Sequence, residues 1–179
     1  MRIRIFLIVS TILAGCANPL VESNPMITAQ SYVGLQEWQN RAELTELLGL
    51  DPVRTEWCAA FANAILEMDN IPSLNTIESR APLLAKSFLT WGDKVNSQDI
   101  KKGDLVIFPR GNQGWQGHVG FYIATLRSNG TEKYVILGGN QDKSVNYSIY
   151  PAYRAIGIRR WPDTADSERS RFMLFARLR

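Results

Sequence analysis

At 179 residues the chain suits one domain with a full hydrophobic core and is short for two. Its 45% hydrophobic and 21% charged side chains are those of a globular protein, which excludes wholesale disorder. The formal charge of +3 owes much to Arg2 and Arg4, and without residues 1–15 the balance is 18 basic against 17 acidic side chains, too even to support a nucleic-acid partner.

Residues 1–15 form a segment of their own. Arg2 and Arg4 precede an apolar run over residues 5–13, and Leu13-Ala14-Gly15-Cys16 follows. That order is a secretory signal, too short for a comfortable membrane span. The Leu-Ala-Gly-Cys ending resembles a bacterial lipobox. The resemblance implies cleavage before Cys16 and acylation of that residue, so the expected partner is a membrane reached through the lipidated N-terminus. Ala17 in place of Asp after the modified residue points to the outer membrane, facing the periplasm. A plain cleaved signal followed by chance by a cysteine is the alternative.

Residues 16–31 carry two prolines and no clear period, and read as a tether. From Leu35, apolar residues at 35, 38, 42, 44, 47 and 48 suit a helix stopped by Gly49. Residues 57–68 give a second helical face, ending at Asn70-Ile71-Pro72, and residues 79–91 a third, ending at Gly92. Thereafter the pattern turns to short β-rich runs over 104–108, 118–126, 134–137, 145–150 and 156–161, with a hairpin signal in Ser128-Asn129-Gly130-Thr131. Helices first and strands afterwards predict an α+β domain over residues 32–162: an antiparallel sheet with helices packed on one side. Residues 163–179 form a C-terminal extension of undetermined structure.

The chemistry-bearing residues are few. With Cys16 lipidated, Cys58 has no intramolecular partner, and His118 is the chain's one histidine. One Cys and one His fall short of a zinc set, and no metal or organic cofactor is expected. Cys58 stands at the start of its helical pattern, where unpaired N–H groups and the helix dipole favour a thiolate and can hold an oxyanion. It is equally placed to be a small buried hydrophobe among Ala59, Ala60, Phe61 and Ala62. His118 follows the glycine-rich loop 109–117 and opens a strand, a position for a general base. A thiol–imidazole pair wants a third group on the other ring nitrogen. Leu137-Gly138-Gly139-Asn140-Gln141 supplies it at the end of the next strand. Asn140 is the expected orienter because it is the shorter amide; Gln141 is the alternative if the glycines turn the backbone.

Trp57-Cys58-Ala59-Ala60-Phe61, Gly103-Asp104-Leu105-Val106-Ile107-Phe108, Gly117-His118-Val119-Gly120-Phe121 and Leu137-Gly138-Gly139-Asn140-Gln141 stand in an order that resembles bacterial cysteine peptidases of the NlpC and CHAP type. The resemblance covers residues 32–162. It implies a papain-like α+β fold cleaving amide bonds in peptidoglycan, with Cys58 as nucleophile, His118 as base and Asn140 as orienter. Trp115, Arg110 and Gln116 are expected to wall a substrate groove beside His118, Arg110 pairing with a peptide carboxylate. Two features depart from the pattern. Glu56 would oppose the thiolate if it faced the site, and no side-chain oxyanion donor is evident. Two further readings stay open: a non-catalytic wall-binding or scaffolding lipoprotein, and a cysteine peptidase or acyltransferase acting on an exported protein.

Overall fold

The computed structural model describes residues 24–77 and 81–161. The signal, Cys16, the start of the third expected helix and the extension at 163–179 lie outside the described residues. The domain is α+β: six strands form one antiparallel sheet in the order β1-β6-β2-β3-β4-β5, and helices cover one face.

Helix α1 (Pro25–Gln30) falls inside the segment read as a tether. Asn24 caps it by accepting the Met26 N–H at 3.1 Å, and Pro25 opens it without sacrificing a helical hydrogen bond. Its Ala29 is fully buried in the core. Six residues are too few to display a period, so composition alone suggested a linker. Helix α2 (Arg41–Leu48) begins later than the apolar spacing from Leu35 suggests, and closes at Gly49 in the left-handed conformation (φ 66°). Residues ahead of it join the sheet instead. Gln36 bridges Ser144, and the Glu37 N–H donates to the Lys143 carbonyl at 2.9 Å.

Helix α3 (Cys58–Met68) runs through the core, with Cys58 through Asn63, Ile65 and Leu66 all buried. Removing one large apolar side chain of this kind from water contributes about 1.5–3 kcal/mol. Asn63 is polar yet fully buried, and it is satisfied: it donates to the Pro82 carbonyl and accepts from the Leu74 N–H, each at 2.9 Å. It pins the connection that follows α3 over the core. The third helical stretch resolves as a 3₁₀ helix, Ala85–Thr90, which buries Ala85 and Phe88.

Strands β2 (Leu105–Pro109), β3 (Gly117–Ser128), β4 (Thr131–Gln141), β5 (Ser144–Pro151) and β6 (Gly157–Arg160) match the five β-rich runs, while β1 (Asp93–Lys94) is a short edge strand pairing with β6. The β3–β4 hairpin turns through Asn129 (φ 49°) and Gly130 (φ 73°), the positive pair that suits strand twist. Alternation along the strands divides the side chains. Leu105, Ile107, Val119, Phe121 and Leu137 face the helices, whereas Val106, Phe108, Tyr134 and Ile136 build a second apolar cluster. Asp104, buried at the mouth of β2, accepts both arms of Arg160 at 2.6 and 2.7 Å and so ties β6 to the sheet. Among the described residues no helix is long and apolar enough to cross a membrane.

Candidate functional site

Helix α3 meets the sheet where β3 and β4 part. Their pairing ends at Phe121↔Leu137, and the register of β4 with β5 shifts between Gly138 and Gln141. Gly139 lies so close to α3 that a Cβ there would sit 2.5 Å from the Trp57 ring and 2.6 Å from Phe61, so only glycine admits this approach. The first turn of α3 is thereby pressed against the start of β3.

Cys58 is consequently buried, with 4% of its surface exposed. Its thiol lies beside the backbone of β3, 4.0 Å from the Gly117 carbonyl oxygen, to which it donates. Burial pushes the thiol pKa up, more than the Val119 and Ala59 N–H groups and the Arg110 guanidinium pull it down. The helix N-terminus therefore assists the thiolate as expected, but desolvation outweighs it. Glu56 is a minor opposing influence: its carboxylate is turned toward Arg110 at 3.3 Å and Asn140 at 2.6 Å.

The His118 ring stacks on Tyr150 with centroids 5.5 Å apart, and Tyr150 in turn stacks on Phe108 at 4.6 Å. Its Nε2–H donates to Gln141 Oε1 at 3.0 Å. The orientation of that amide is fixed from its other end, because Gln141 Nε2 donates to the carbonyls of Ile136 at 3.2 Å and Asn146 at 2.5 Å. Oε1, an acceptor, must then face the ring, and the Tyr150 hydroxyl donates to the same oxygen at 3.0 Å. A neutral imidazole protonated at Nε2 carries its lone pair on Nδ1, and that atom is buried with no hydrogen-bond partner. Thiol and imidazole are not hydrogen-bonded to each other.

Asn140, the expected orienter, makes no hydrogen bond to the His118 ring. Its Nδ2 donates to Glu56 Oε2 and its carbonyl accepts from Arg110 Nη1 at 3.4 Å. The cause is the backbone. Asn140 occupies the left-handed region at φ 56°, so the regular alternation of β4 breaks there and Gln141 turns to the ring. Arg110 lines the same cavity as His118, its guanidinium engaged by Glu56. Gln116 instead folds beneath its own loop, accepting the Gln113 N–H at 3.0 Å, and Trp115 stands 58% exposed. Tyr150 carried no signal beyond strand alternation, and its place on the ring is visible only in the fold. Among the described residues no group of three His, Cys, Asp or Glu side chains is set to hold a metal.

Burial, chiefly, lowers the His118 pKa from 6.5 to about 4, the Gln141 bond opposing the shift. The unfolded chain therefore takes up a proton between those two values that the folded chain refuses. Stability is complete above about pH 6.5 and declines as pH falls toward 4, by a His118 contribution on the order of 3 kcal/mol. Urea unfolding at pH 7 and pH 4.5 should reveal this loss in the wild type and a smaller one in His118→Ala; equal losses would refute it.

Comparison with models of known families gives no match, and no curated protein matches the chain.

Proposed function

We propose that this chain is a papain-like cysteine hydrolase of the NlpC and CHAP type, anchored through a lipidated Cys16 in the bacterial envelope, which cleaves amide bonds in peptidoglycan. The supporting observation is the polarity imposed on His118. Gln141 fixes the proton on Nε2 and leaves a buried, unpartnered Nδ1 lone pair on the residue that follows Gly117, whose carbonyl the Cys58 thiol meets. Buried side-chain polar atoms ordinarily find a partner.

The mechanism begins from a neutral thiol and a neutral imidazole, since burial disfavours both charges. When a substrate carbonyl enters, His118 Nδ1 takes the Cys58 proton as sulfur attacks. The developing oxyanion finds N–H groups of the first turn of α3. The imidazolium then protonates the leaving amine, the C–N bond breaks and a thioester remains. Water hydrolyses it with Nδ1 as base and restores the thiol. Gln141 holds the ring throughout, as a positioning residue.

One observation favours the non-catalytic alternative: the thiol is buried and makes no bond to the ring. Incubation with purified peptidoglycan and mass analysis of released fragments tests the proposal. Amide-cleaved fragments from the wild type support it. Their absence, together with a Cys58 that resists iodoacetamide in the folded protein, would favour a wall-binding role.

A further inference from the structure

The helices cover only part of the sheet face they pack against. On that face the side chains form cross-strand rows set by the register. Phe121, Leu137 and Tyr147 make one row, Ala124, Val135 and Ile149 the next, and Leu126, Lys133 and Pro151 the last. Phe121 and Leu137 belong to the buried core, but beyond them the cover ends: Ile149 is 56% exposed and Leu126 44%. Helix α1 borders this ground. Its Gln30 donates to the Tyr147 hydroxyl at 2.9 Å, and Ile27, one helical turn earlier on the same side, is 61% exposed. The two outer rows hold one charge, Lys133, and no acid.

An apolar surface of this kind calls for an occupant. The length of chain joining it to Cys16 identifies one. Residues 16–24 reach at most about 29 Å even when fully extended, and Asn24 caps α1. That is less than the width of a domain of this size, roughly 35 Å. With acyl chains on Cys16 held in a bilayer, the α1 side of the domain therefore stays nearest to it. The exposed side chains fall short of the roughly 20–30 residues a side that hold a dimer. A lipid surface needs no such area, because the acyl chains already keep it at high effective concentration. Tyr147 suits the headgroup layer with its apolar ring and polar tip, and Lys133 suits an anionic headgroup.

We infer that, with Cys16 acylated as proposed above, Ile27, Leu126, Val135, Tyr147 and Ile149 rest on the phospholipid of the anchoring membrane and fix how the domain stands on it. His118 lies at the other end of β3 from Leu126, about 26 Å away along the strand. The Cys58 thiol meets the same end, at the Gly117 carbonyl. The reactive pair is thereby held out from the bilayer, toward the wall.

The test uses the acylated full chain in vesicles of phosphatidylethanolamine and phosphatidylglycerol, with palmitate labelling and flotation as the measures of anchoring. In a Cys58→Ala background, Leu126→Cys or, at the site end, Trp115→Cys carries a fluorescent dye; Cys16 is blocked by its acyl chain. Quenching by nitroxide-bearing lipid is expected to be at least about fivefold stronger at 126 than at 115, since only the former touches the acyl boundary. Ile27→Ser combined with Ile149→Ser, both at exposed positions, should bring quenching at 126 down to the level at 115 while flotation and the melting temperature persist. Equal quenching at the two positions, or quenching at 126 that survives the paired substitution, would overturn the assignment. So would a dye at 126 shielded from aqueous iodide yet untouched by the lipid quencher, which would put a second copy or residues 163–179 over the patch. Anchored protein that fails in these ways leaves the acylation and hydrolase readings standing. Protein that neither labels with palmitate nor floats removes the acylation reading and this orientation with it, whatever its action on peptidoglycan.

Discussion

Cys58→Ala is expected to lower peptidoglycan cleavage by at least about a thousandfold, and His118→Ala by a comparable factor, with the double variant little worse than either. The reason is interdependence. Without the base, a thiol whose pKa is already raised by burial yields almost no nucleophile near neutral pH. Without sulfur, Nδ1 has no proton to receive. Neither substitution should unfold the domain, because α3 is held by Phe61, Ile65 and Leu66, and circular dichroism checks this. Fragment release by Cys58→Ala at near the wild-type rate would end the hydrolase proposal. A double variant losing the product of the two single effects would show that the residues work independently.

The second large effect is assigned to Gln141. Gln141→Ala should reduce turnover by about ten- to a hundredfold, less than loss of the base itself, whose own contribution is typically about 10²–10⁴-fold. It removes the acceptor shared by His118 Nε2 and the Tyr150 hydroxyl. His118 Nε2, inside the fold, then lacks a partner, costing about 1–3 kcal/mol, and the ring loses what fixed its tautomer. Asn140→Gly keeps the left-handed backbone at that position without strain and deletes only the contact to Glu56. Its effect on turnover should be within about threefold, because the one hydrogen bond it deletes does not hold the ring. Measured kcat for both variants, with folding checked, decides the matter: the opposite ranking would return the orienting role to Asn140.

The difference between these two neighbours marks how far the sequence carries. Alternation places Asn140 and Gln141 on opposite faces of any regular strand, and that much is a property of the chain. Which amide faces His118 depends on whether the strand stays regular. The bulge after Gly138 arises because Gly139 must let Trp57 and Phe61 approach, a contact between segments some eighty residues apart. No local pattern encodes it. Tyr150 and Glu56 became legible for the same reason: each meets its partner only across the completed sheet.

Helix α1 and the start of α2 were hidden by a different cause. Six residues of helix and a stretch of turns bridging to Ser144 draw their order from packing against α3 and β5, not from their own periodicity. By contrast, the five long runs of strand, the Asn129-Gly130 turn, the cap at Gly49 and the helix beginning at Cys58 follow from side-chain alternation and backbone preference within a few residues of each position. The sequence by itself determined the α+β class, the place of the cysteine at a helix N-terminus and the place of the histidine at a strand start. Only the tertiary structure decided the protonation of both, because desolvation is set by what the rest of the chain lays over a group. It alone decided also which amide holds the ring and which apolar rows of the sheet the helices leave uncovered, since both depend on distances between segments that no local rule relates.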